Sequence, residues 1–466
     1  MSMHAKVVAP LTAGRIQAAH KFPQLRLQPS QHRLITRRRR CDLPLRFFHP
    51  SSVEFAKREL EAGRIVEVRR DDHSLVALGF YEPHLKRVDV FDMTPSSAAM
   101  LPTISEDFFM ARVHEAWERR RRILPQTQSN TYRIVNGYAD SLPSLFVDVF
   151  SECFVRIVAT SVGAERLVPP LLDFLSRRGA EDVLLDTPTL GDAARVSLIT
   201  PTIPLPSMYV EGGVSHLWLR PDMRMPSTEN LFLINPAHRR IRRMLRDLGK
   251  GKRVLTIYDR SGSASMNAVM TAKHVTVVHR EEASLEWARE NLICNHSASV
   301  FRACETVCCD PAELRVRHQQ DVVYIECHPK FLSTSQQWAE FVRSLAINKV
   351  VGVGTMLIVA QEEAPLGVRD LLHRRKALYG GDESRADRDR PMTRRPLADV
   401  LRNALELCHL QLKFLRAFSV ACDHPLLPEA ESASFSQLYL LEGPALDQVF
   451  RVSPSSNDGK SIGEAL

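Results

Sequence analysis

A short polar turn is the first place in this sequence where a ligand could bind. Residues Asp259 to Ser263 follow an apolar stretch and precede a segment with a helical pattern. Small polar residues at such a position let a ligand lie against the backbone beside a helix N-terminus. The turn holds one glycine, Gly262, which is a weak signal, so the sequence predicts a ligand here without specifying its class.

Four consecutive arginines, Arg119 to Arg122, are the second chemical feature. They end a predicted helix from Asp107 to Leu124, where cations suit the helix dipole. Four charges exceed what a helix terminus needs, so phosphate contact and a solvated helix end stand as equal interpretations. A general RNA-binding surface would require these arginines to form one stripe with a second group: Arg239, Arg240, Arg242 and Arg243.

The nine cysteines are odd in number and have no framework spacing, which argues against a disulfide scaffold and for a reducing or matrix-like compartment. Five of them lie close in sequence: Cys294, Cys304, Cys308, Cys309 and Cys327. No Cys-x-x-Cys pair occurs among these five. We therefore expect buried or incidental thiols rather than a metal site.

Positive charge is concentrated at the N-terminus. Residues 1–40 contain nine of the 62 Lys and Arg residues and no Asp or Glu, which leaves 53 basic against 54 acidic residues downstream. An acid-free, arginine-containing segment is typical of a mitochondrial transit peptide, and we predict the mitochondrial matrix as the location. A basic arm that binds RNA phosphates is the alternative, and the near-neutral body argues against strong non-specific RNA affinity.

Length and composition indicate a globular chain of two or three domains. It has 466 residues, of which 44% are hydrophobic and 25% charged. No apolar run approaches the roughly 20 residues of a membrane-spanning helix, so no membrane segment is expected.

The pattern of strands and helices divides the chain into three folded parts. Residues 45–97 predict a small β-rich module, and 105–225 a central α+β domain with a helix at about 164–178. From 226 to 450 strands and helices alternate regularly, including a strand from His274 to His279 and a helix from Ala283 to Asn295. This alternation predicts a doubly wound α/β domain with a parallel sheet. An exposed, mobile insertion is expected at 376–396 and a disordered tail at 451–466.

Three segments together resemble the bacterial large-subunit ribosomal RNA cytosine-5 methyltransferases with an N-terminal PUA domain. They are Gly63 to Phe91, Tyr132 to Asp148, and Asp423-His424-Pro425. The resemblance implies a PUA-like RNA-binding module, a central α+β domain and a class I methyltransferase (Rossmann-like) domain. It also implies S-adenosylmethionine as cofactor and ribosomal RNA as partner.

The sequence departs from this family where the cofactor would bind. At the end of the first strand of the α/β domain the family has an aspartate, and here Thr256 stands. The family's paired glycines align with Gly262 and Ser263, after Ser261. Its ribose-binding acid aligns with His279. Glu281 and Glu282, two and three residues on, are candidate substitutes, although acids at the start of the next helix are expected to face solvent. Asp310 is a candidate contact near the adenine.

It departs again where the base and the nucleophile would be. The family's aspartate, two prolines, lysine and phenylalanine appear as Cys327-His328-Pro329-Lys330-Phe331, preceded by Glu326. The family's catalytic cysteine aligns within Ala360-Gln361-Glu362. Cys327 is the one thiol that could replace it, activated by His328, although a buried inert cysteine is the favoured interpretation. The polar contacts of a further family segment are altered at 231–240.

Five independent departures predict that ordinary methyl transfer is lost while the RNA-binding architecture is kept. We therefore expect a non-catalytic, methyltransferase-like protein that acts on ribosomal RNA or on the assembling mitochondrial large ribosomal subunit. The opposing hypothesis is an active methyltransferase with a rearranged pocket, using Glu281 or Glu282, Asp310 and Cys327. The sequence does not specify the oligomeric state.

Overall fold

The computed structural model describes most of the three predicted parts of the chain. The described residues are 22–27, 47–48, 53–54, 60–70, 72–83, 87–92, 104–124, 129–150, 154–187, 194–197, 207–211, 214–218, 235–259, 262–296, 303–327, 332, 334–361, 394–418 and 435–443. The tail, the Asp423-His424-Pro425 segment and all of the predicted insertion except 394–396 lie outside them. Within them, no helix is long and apolar enough to cross a membrane.

The N-terminal module is a six-stranded sheet in the order β2-β6-β5-β4-β1-β3. Its strands are β1 (Gln24–Leu27), β2 (Phe47–Phe48), β3 (Val53–Glu54), β4 (Arg64–Arg69), β5 (Leu75–Glu82) and β6 (Arg87–Asp92). β1 pairs in parallel with β4, and its Leu25 is fully buried. The sheet thus includes residues that the sequence analysis placed in the N-terminal basic arm. β1 was not predicted, because a four-residue strand is too short to show an alternating pattern.

The central part contains one long helix and a five-stranded sheet in the order β11-β10-β9-β8-β7. The helix α1 (Glu106–Ile123) lies where the sequence placed it. The predicted helix at 164–178 is broken in two, since Pro169 and Pro170 begin a new helix. The elements are β7 (Thr131–Asn136), β8 (Leu145–Phe150), β9 (Phe154–Ala159), α2 (Val162–Glu165), α3 (Val168–Ser176), β10 (Asp182–Asp186) and β11 (Ala194–Ser197).

The C-terminal part is a seven-stranded sheet covered by helices on both faces. A hairpin of β12 (Ser207–Glu211) and β13 (Val214–Trp218) precedes it. Its elements are α4 (Arg239–Leu248), β14 (Arg253–Ile257), α5 (Ser263–Ala268), β15 (His274–His279), α6 (Glu282–Asn295), β16 (Cys304–Cys308), β17 (Val322–Cys327), α7 (Ser335–Ile347), β18 (Met356–Gln361), α8 (Arg394–Glu406), β19 (Gln411–Phe418) and β20 (Phe435–Glu442).

The strand order in this sheet is β16-β15-β14-β17-β18-β20-β19, and β20 runs antiparallel to both of its neighbours. The other strand pairs are parallel, so the predicted doubly wound α/β architecture is confirmed. The chain reverses direction across the sheet between β14 and β17. Ligands of such sheets bind at the carboxyl ends of the strands beside this switch point, which is where the predicted site residues lie.

Candidate functional site

Two described residues at the turn after β14 have left-handed backbone conformations. Tyr258 has a φ of +58° and Gly262 a φ of +70°. A Cβ atom at Gly262 would lie 3.0 Å from the Cβ of Ala288 on α6. Glycine is therefore required both for the left-handed conformation and for the close approach of two helices. Ser261 lies outside the described residues.

A buried carboxylate occupies the amides that this turn would offer to a ligand. Asp259 accepts hydrogen bonds from the backbone N–H groups of Ala264 (3.0 Å) and Ser265 (2.7 Å) and from the Ser265 hydroxyl (2.6 Å). Burial raises the pKa of Asp259, and these hydrogen bonds oppose the rise. The second and third N–H groups of α5 are thus satisfied from within the protein. Sequence reasoning did not assign Asp259 a role, although an acid just before a helix is a capping signal.

Thr256 and Ser263, two predicted cofactor-binding residues, are packed into the protein. Both are fully buried. The Thr256 hydroxyl lies 2.7 Å from that of Ser265, which joins β14 to α5. The hydroxyl contact stabilises the turn. Because both side chains are buried, neither has an exposed face for a ligand.

His279 ends β15 and is almost fully buried. Its Nδ1 accepts the backbone N–H of Glu281 at 3.0 Å, and its ring meets that of Tyr258 edge to face at 5.5 Å. With Nδ1 as the acceptor, the neutral ring carries its proton on Nε2. This position therefore presents an N–H donor, whereas a carboxylate there would accept hydrogen bonds from both hydroxyls of a ribose.

Two of the acids near His279, Glu282 and Asp310, bind groups close to them in the fold. Glu281 precedes the first turn of α6. Glu282 is exposed and pairs with Arg289 at 2.6 Å, and the hydrogen bond from Arg289 lowers the pKa of Glu282. Asp310 is exposed and accepts the N–H of Ala312 at 3.0 Å. The interactions of Glu282 and Asp310 are those of a helix surface and a turn.

Glu326, near the end of β17, belongs to a buried ionic network. Its carboxylate accepts the Tyr324 hydroxyl at 3.0 Å and lies 3.4 Å from the Arg242 guanidinium. Arg242, on α4, also binds Glu211 of β12 at 2.9 and 2.6 Å and the carbonyl of Asn235 at 2.8 Å. One guanidinium thus ties the hairpin, α4 and β17 together beneath the carboxyl edge of the sheet.

The charges in this network fix its protonation states. Burial alone would lower the pKa of Arg242, but the carboxylates of Glu211 and Glu326 raise it well above its ordinary value. Burial, with the nearby Glu326, raises the pKa of Tyr324 well above its ordinary value. Arg242 therefore stays charged and Tyr324 stays a hydroxyl donor, so the Glu326 carboxylate is held by both.

Cys327 is the last residue of β17, and its backbone pairs with Gln361 of β18. The side chains of Cys327 and Gln361, like His328 to Phe331, lie outside the described part of the structure.

Burial raises the pKa of Cys304 to about 12, so that thiol is inert at neutral pH. Among the described residues, no group of three or more His, Cys, Asp or Glu side chains could hold a metal ion.

The arginines predicted to bind RNA divide into buried and exposed groups. Arg120 is fully buried and binds Asp140 through two bonds of 2.6 and 2.5 Å. Arg239 is buried too, where its guanidinium donates to the carbonyl of Thr131 and lies 3.8 Å from Glu211. The predicted RNA contacts of Arg120 and Arg239 are therefore wrong, and burial of Arg242 also excludes a continuous arginine stripe. The remaining predicted contacts are at least partly exposed: Arg119, Arg121, Arg122 and Arg240.

The segment from Tyr132 to Asp148, the most specific part of the family resemblance, forms a hydrogen-bonded junction. Arg133 binds Asp148 at 2.7 and 2.9 Å, and Asp140 accepts the N–H of Asn136 as well as Arg120. Two hydroxyls of the segment donate to Asp89 of the N-terminal sheet, from Tyr138 (2.7 Å) and Ser144 (2.6 Å). The segment therefore joins the central domain to the β-rich module.

By sequence, the chain is similar to ribosomal RNA large subunit methyltransferases. It is 26% identical to methyltransferase I of Erwinia tasmaniensis over 206 residues, 41% of this chain and 49% of that protein. It is 24% identical to that of Serratia proteamaculans over 248 residues, 50% and 58% of the two chains. A ribosomal RNA large subunit methyltransferase of Deinococcus radiodurans is 26% identical over 295 residues, 60% and 69% of the chains. The chain spans about half the length of the first two relatives, and no protein-family model matches it.

Solved structures show the fold over nearly the whole chain. A SAM-dependent methyltransferase from Streptococcus mutans superposes with a TM-score of 0.66 and 13% identity, covering 90% of this chain and 99% of that one. A methyltransferase solved in complex with SAH gives a TM-score of 0.61 and 14% identity over the same shares. The predicted class I methyltransferase fold is thus confirmed.

Proposed function

We propose that this chain is an RNA-binding protein of methyltransferase fold that acts on large-subunit ribosomal RNA without transferring a methyl group. The observation that carries the proposal is the contrast within the α/β domain. Its seven-stranded sheet is complete, yet the acids at the carboxyl ends of β14 and β17 are bound by other groups of the protein, Asp259 by amides of α5 and Glu326 by Arg242. The names of the sequence relatives supply the RNA class, and fold alone does not specify chemistry.

S-adenosylmethionine does not fit the described residues in the ordinary way. Asp259 accepts the N–H groups of Ala264 and Ser265 at the start of α5, and an N–H donor replaces the ribose-binding acid at His279. Ribose hydroxyls bound by a carboxylate donate two hydrogen bonds, and His279 cannot accept both. We therefore assign no methyl-transfer step to these residues.

We place this activity in the mitochondrion, on the assembling large ribosomal subunit, with the β-rich module as a PUA-like RNA contact. The acid-free N-terminus supports the location. Because β1 pairs with β4 and the Pro23 carbonyl accepts the N–H of Glu67, a presequence that leaves the sheet whole must be cleaved before Pro23. The test is microscopy of the full chain with a C-terminal fluorescent tag, followed by N-terminal sequencing of the mature protein. Cytosolic fluorescence would remove the mitochondrial part of the proposal.

Calorimetric titration of the full chain with S-adenosylmethionine and with its demethylated product tests the loss of chemistry. At ligand concentrations of about 1 mM, which detect even weak binding, we expect no heat for either ligand. The His279→Asp variant restores the missing acceptor and should gain weak binding. Micromolar binding by the unaltered chain, abolished by Glu281→Gln or Glu282→Gln, would overturn the proposal in favour of an active site with a rearranged pocket.

Ribosomal RNA binding needs its own test. Ultraviolet crosslinking of the tagged chain in cells, followed by sequencing of the bound RNA, should recover large-subunit ribosomal RNA. A methylation assay on that RNA gives the enzymatic comparison. Methyl transfer that is lost in Cys327→Ala would establish the enzyme, whereas crosslinks dominated by other RNA classes would contradict the ribosomal role.

A further inference from the structure

Arg178, which follows the end of α3, is held in a fixed orientation on the surface of the central domain. Its guanidinium carbon lies 3.9 Å from the centroid of the Phe174 ring and 5.4 Å from that of Trp117 on α1. Its Nη2 is 3.0 Å from Nδ1 of His114, also on α1. An exposed arginine is normally mobile, so these three contacts make Arg178 unusual.

Three further exposed arginines lie on α1 or directly after α3, two helices that contact each other. Arg121 follows Trp117 by four residues and so lies on the same face of α1, one turn on. Its side chain is 51% exposed, and its guanidinium is 3.6 Å from Glu118. Arg122 and Arg177 are exposed and make no ion pair with any carboxylate in the described residues. We call Arg121, Arg122, Arg177 and Arg178 the α1–α3 basic surface.

Helix capping does not account for Arg177 and Arg178, the two arginines that directly follow α3. The last carbonyls of this helix are satisfied by backbone groups, because Gly179 donates to Ser176 at 3.0 Å and Ala180 donates to Leu175 at 3.2 Å. Gly179 has a φ of +90°, as in the usual glycine termination of a helix. The guanidinium of Arg178 lies over two rings rather than on these carbonyls.

We propose that the α1–α3 basic surface binds the phosphate backbone of RNA, an inference that rests on the proposed function and locates its RNA contact. Arg122 and Arg177 supply charge that forms no ion pair with a carboxylate among the described residues, and Arg178 supplies a guanidinium edge already fixed in orientation. Fixing it in advance lowers the entropy lost on binding. Phosphate contacts of this kind position the protein without reading sequence. The surface includes two of the three exposed members of the predicted arginine run, Arg121 and Arg122, and two arginines directly after α3 for which the sequence predicted no role.

The test measures binding of the full chain to a stem-loop RNA across a series of salt concentrations. The variant Arg122→Gln/Arg177→Gln removes two charges from the surface. The control Arg317→Gln/Arg343→Gln removes two exposed arginines from the α/β domain and leaves the same net charge. We expect the slope of log K against log salt to fall by about 2 in the surface variant, about one for each phosphate contact, and to stay unchanged in the control.

The outcomes separate this inference from the proposed function. If the unaltered chain fails to bind the stem-loop at low salt, the proposed RNA-binding function fails. If it binds and the two variants lose affinity equally, RNA binding stands and the assignment to this surface is overturned. Competition by polyglutamate as strong as competition by unlabelled RNA would indicate an acidic protein partner instead. Thermal unfolding of both variants must match the unaltered chain, which exposed substitutions should permit.

Discussion

Segments of the family pattern lie in two regions, the central domain and the carboxyl edge of the seven-stranded sheet. The first region matches the pattern more closely than the second. Between Tyr132 and Asp148 the pattern is close to complete, and its charged groups are bound within the protein. At the ends of β14, β15 and β17 the pattern is broken. The intact segment joins domains, whereas the broken ones would have met a ligand.

This difference indicates which constraint each region retains. A buried pair such as Arg120 and Asp140 cannot lose one partner without leaving the other charge buried, so the pair persists whatever the protein does. An acid that only a ligand would bind is under no such constraint if, as proposed, the ligand is not bound. At the sheet edge, the internal contacts of Asp259 and Glu326 resemble the buried pairs of the central domain. Substitutions in both regions test whether the two sets of contacts contribute equally to the free energy of unfolding.

The largest effect is expected from Arg242→Met. Removing this guanidinium leaves the carboxylates of Glu211 and Glu326 buried without their cation, and we expect a loss of about 3–5 kcal/mol in the free energy of unfolding. Urea unfolding measures it. The control is Arg243→Met, an exposed neighbour on the same helix, which should change stability by less than about 0.5 kcal/mol. A loss below about 1 kcal/mol for Arg242→Met would show that the edge is not held by this network.

Arg120→Met is the corresponding change in the central domain, and we expect about 3 kcal/mol because only one carboxylate loses its partner. Asp140 would keep the N–H of Asn136 and the weaker contact from Arg119 at 3.3 Å. Arg122→Met, two residues on and exposed, is the matched control. An equal effect of both substitutions would contradict the division of the arginine run into buried and exposed members.

The sequence predicted the architecture well where hydrophobic periodicity was strong. The bounds of β15 were predicted residue for residue, and those of α6 to within one residue at its start. β1 was missed because four residues carry too little pattern, and β16 because its alternation is weak and none of its residues is fully buried. A single helix was predicted at 164–178, and its break was missed although Pro169 and Pro170 were a usable signal.

The site was less predictable, because sequence patterns show residue types and not their partners. Four adjacent arginines look alike in sequence, yet one lies in the core, and only the position of Asp140 on the fold decides which. No role was predicted for Asp259, because its partners are backbone N–H groups of the following helix, which residue types do not show. The role of Arg242 depends on Glu211 and Glu326, which lie 31 and 84 residues away in sequence. Pairings of that range lie beyond any local pattern.

Gly262→Ala tests whether the turn after β14 is still under steric constraint. The substitution meets both a left-handed φ and a backbone contact near 3.0 Å, and we expect a loss of about 2 kcal/mol. Gly251→Ala is the control, because Gly251 has nearly the same φ of +69° and open space around it, so it should lose about 1 kcal/mol from φ alone. Equal losses in urea unfolding would show that the contact with Ala288 relaxes freely.

The smallest effect is a pH dependence that Asp259 alone contributes. Burial raises the pKa of Asp259 in the folded protein above its value in the unfolded chain. Between these two pKa values the folded state binds more protons, so the stability contributed by the protonated carboxyl falls as pH rises through the folded pKa. We therefore expect the unaltered chain to lose stability relative to Asp259→Asn as the pH is raised from about 4. Urea unfolding of both proteins at several pH values gives the difference directly. A difference with the opposite slope would mean that the amides of α5 stabilise the carboxylate more than burial destabilises it, as an anion site built for a ligand would.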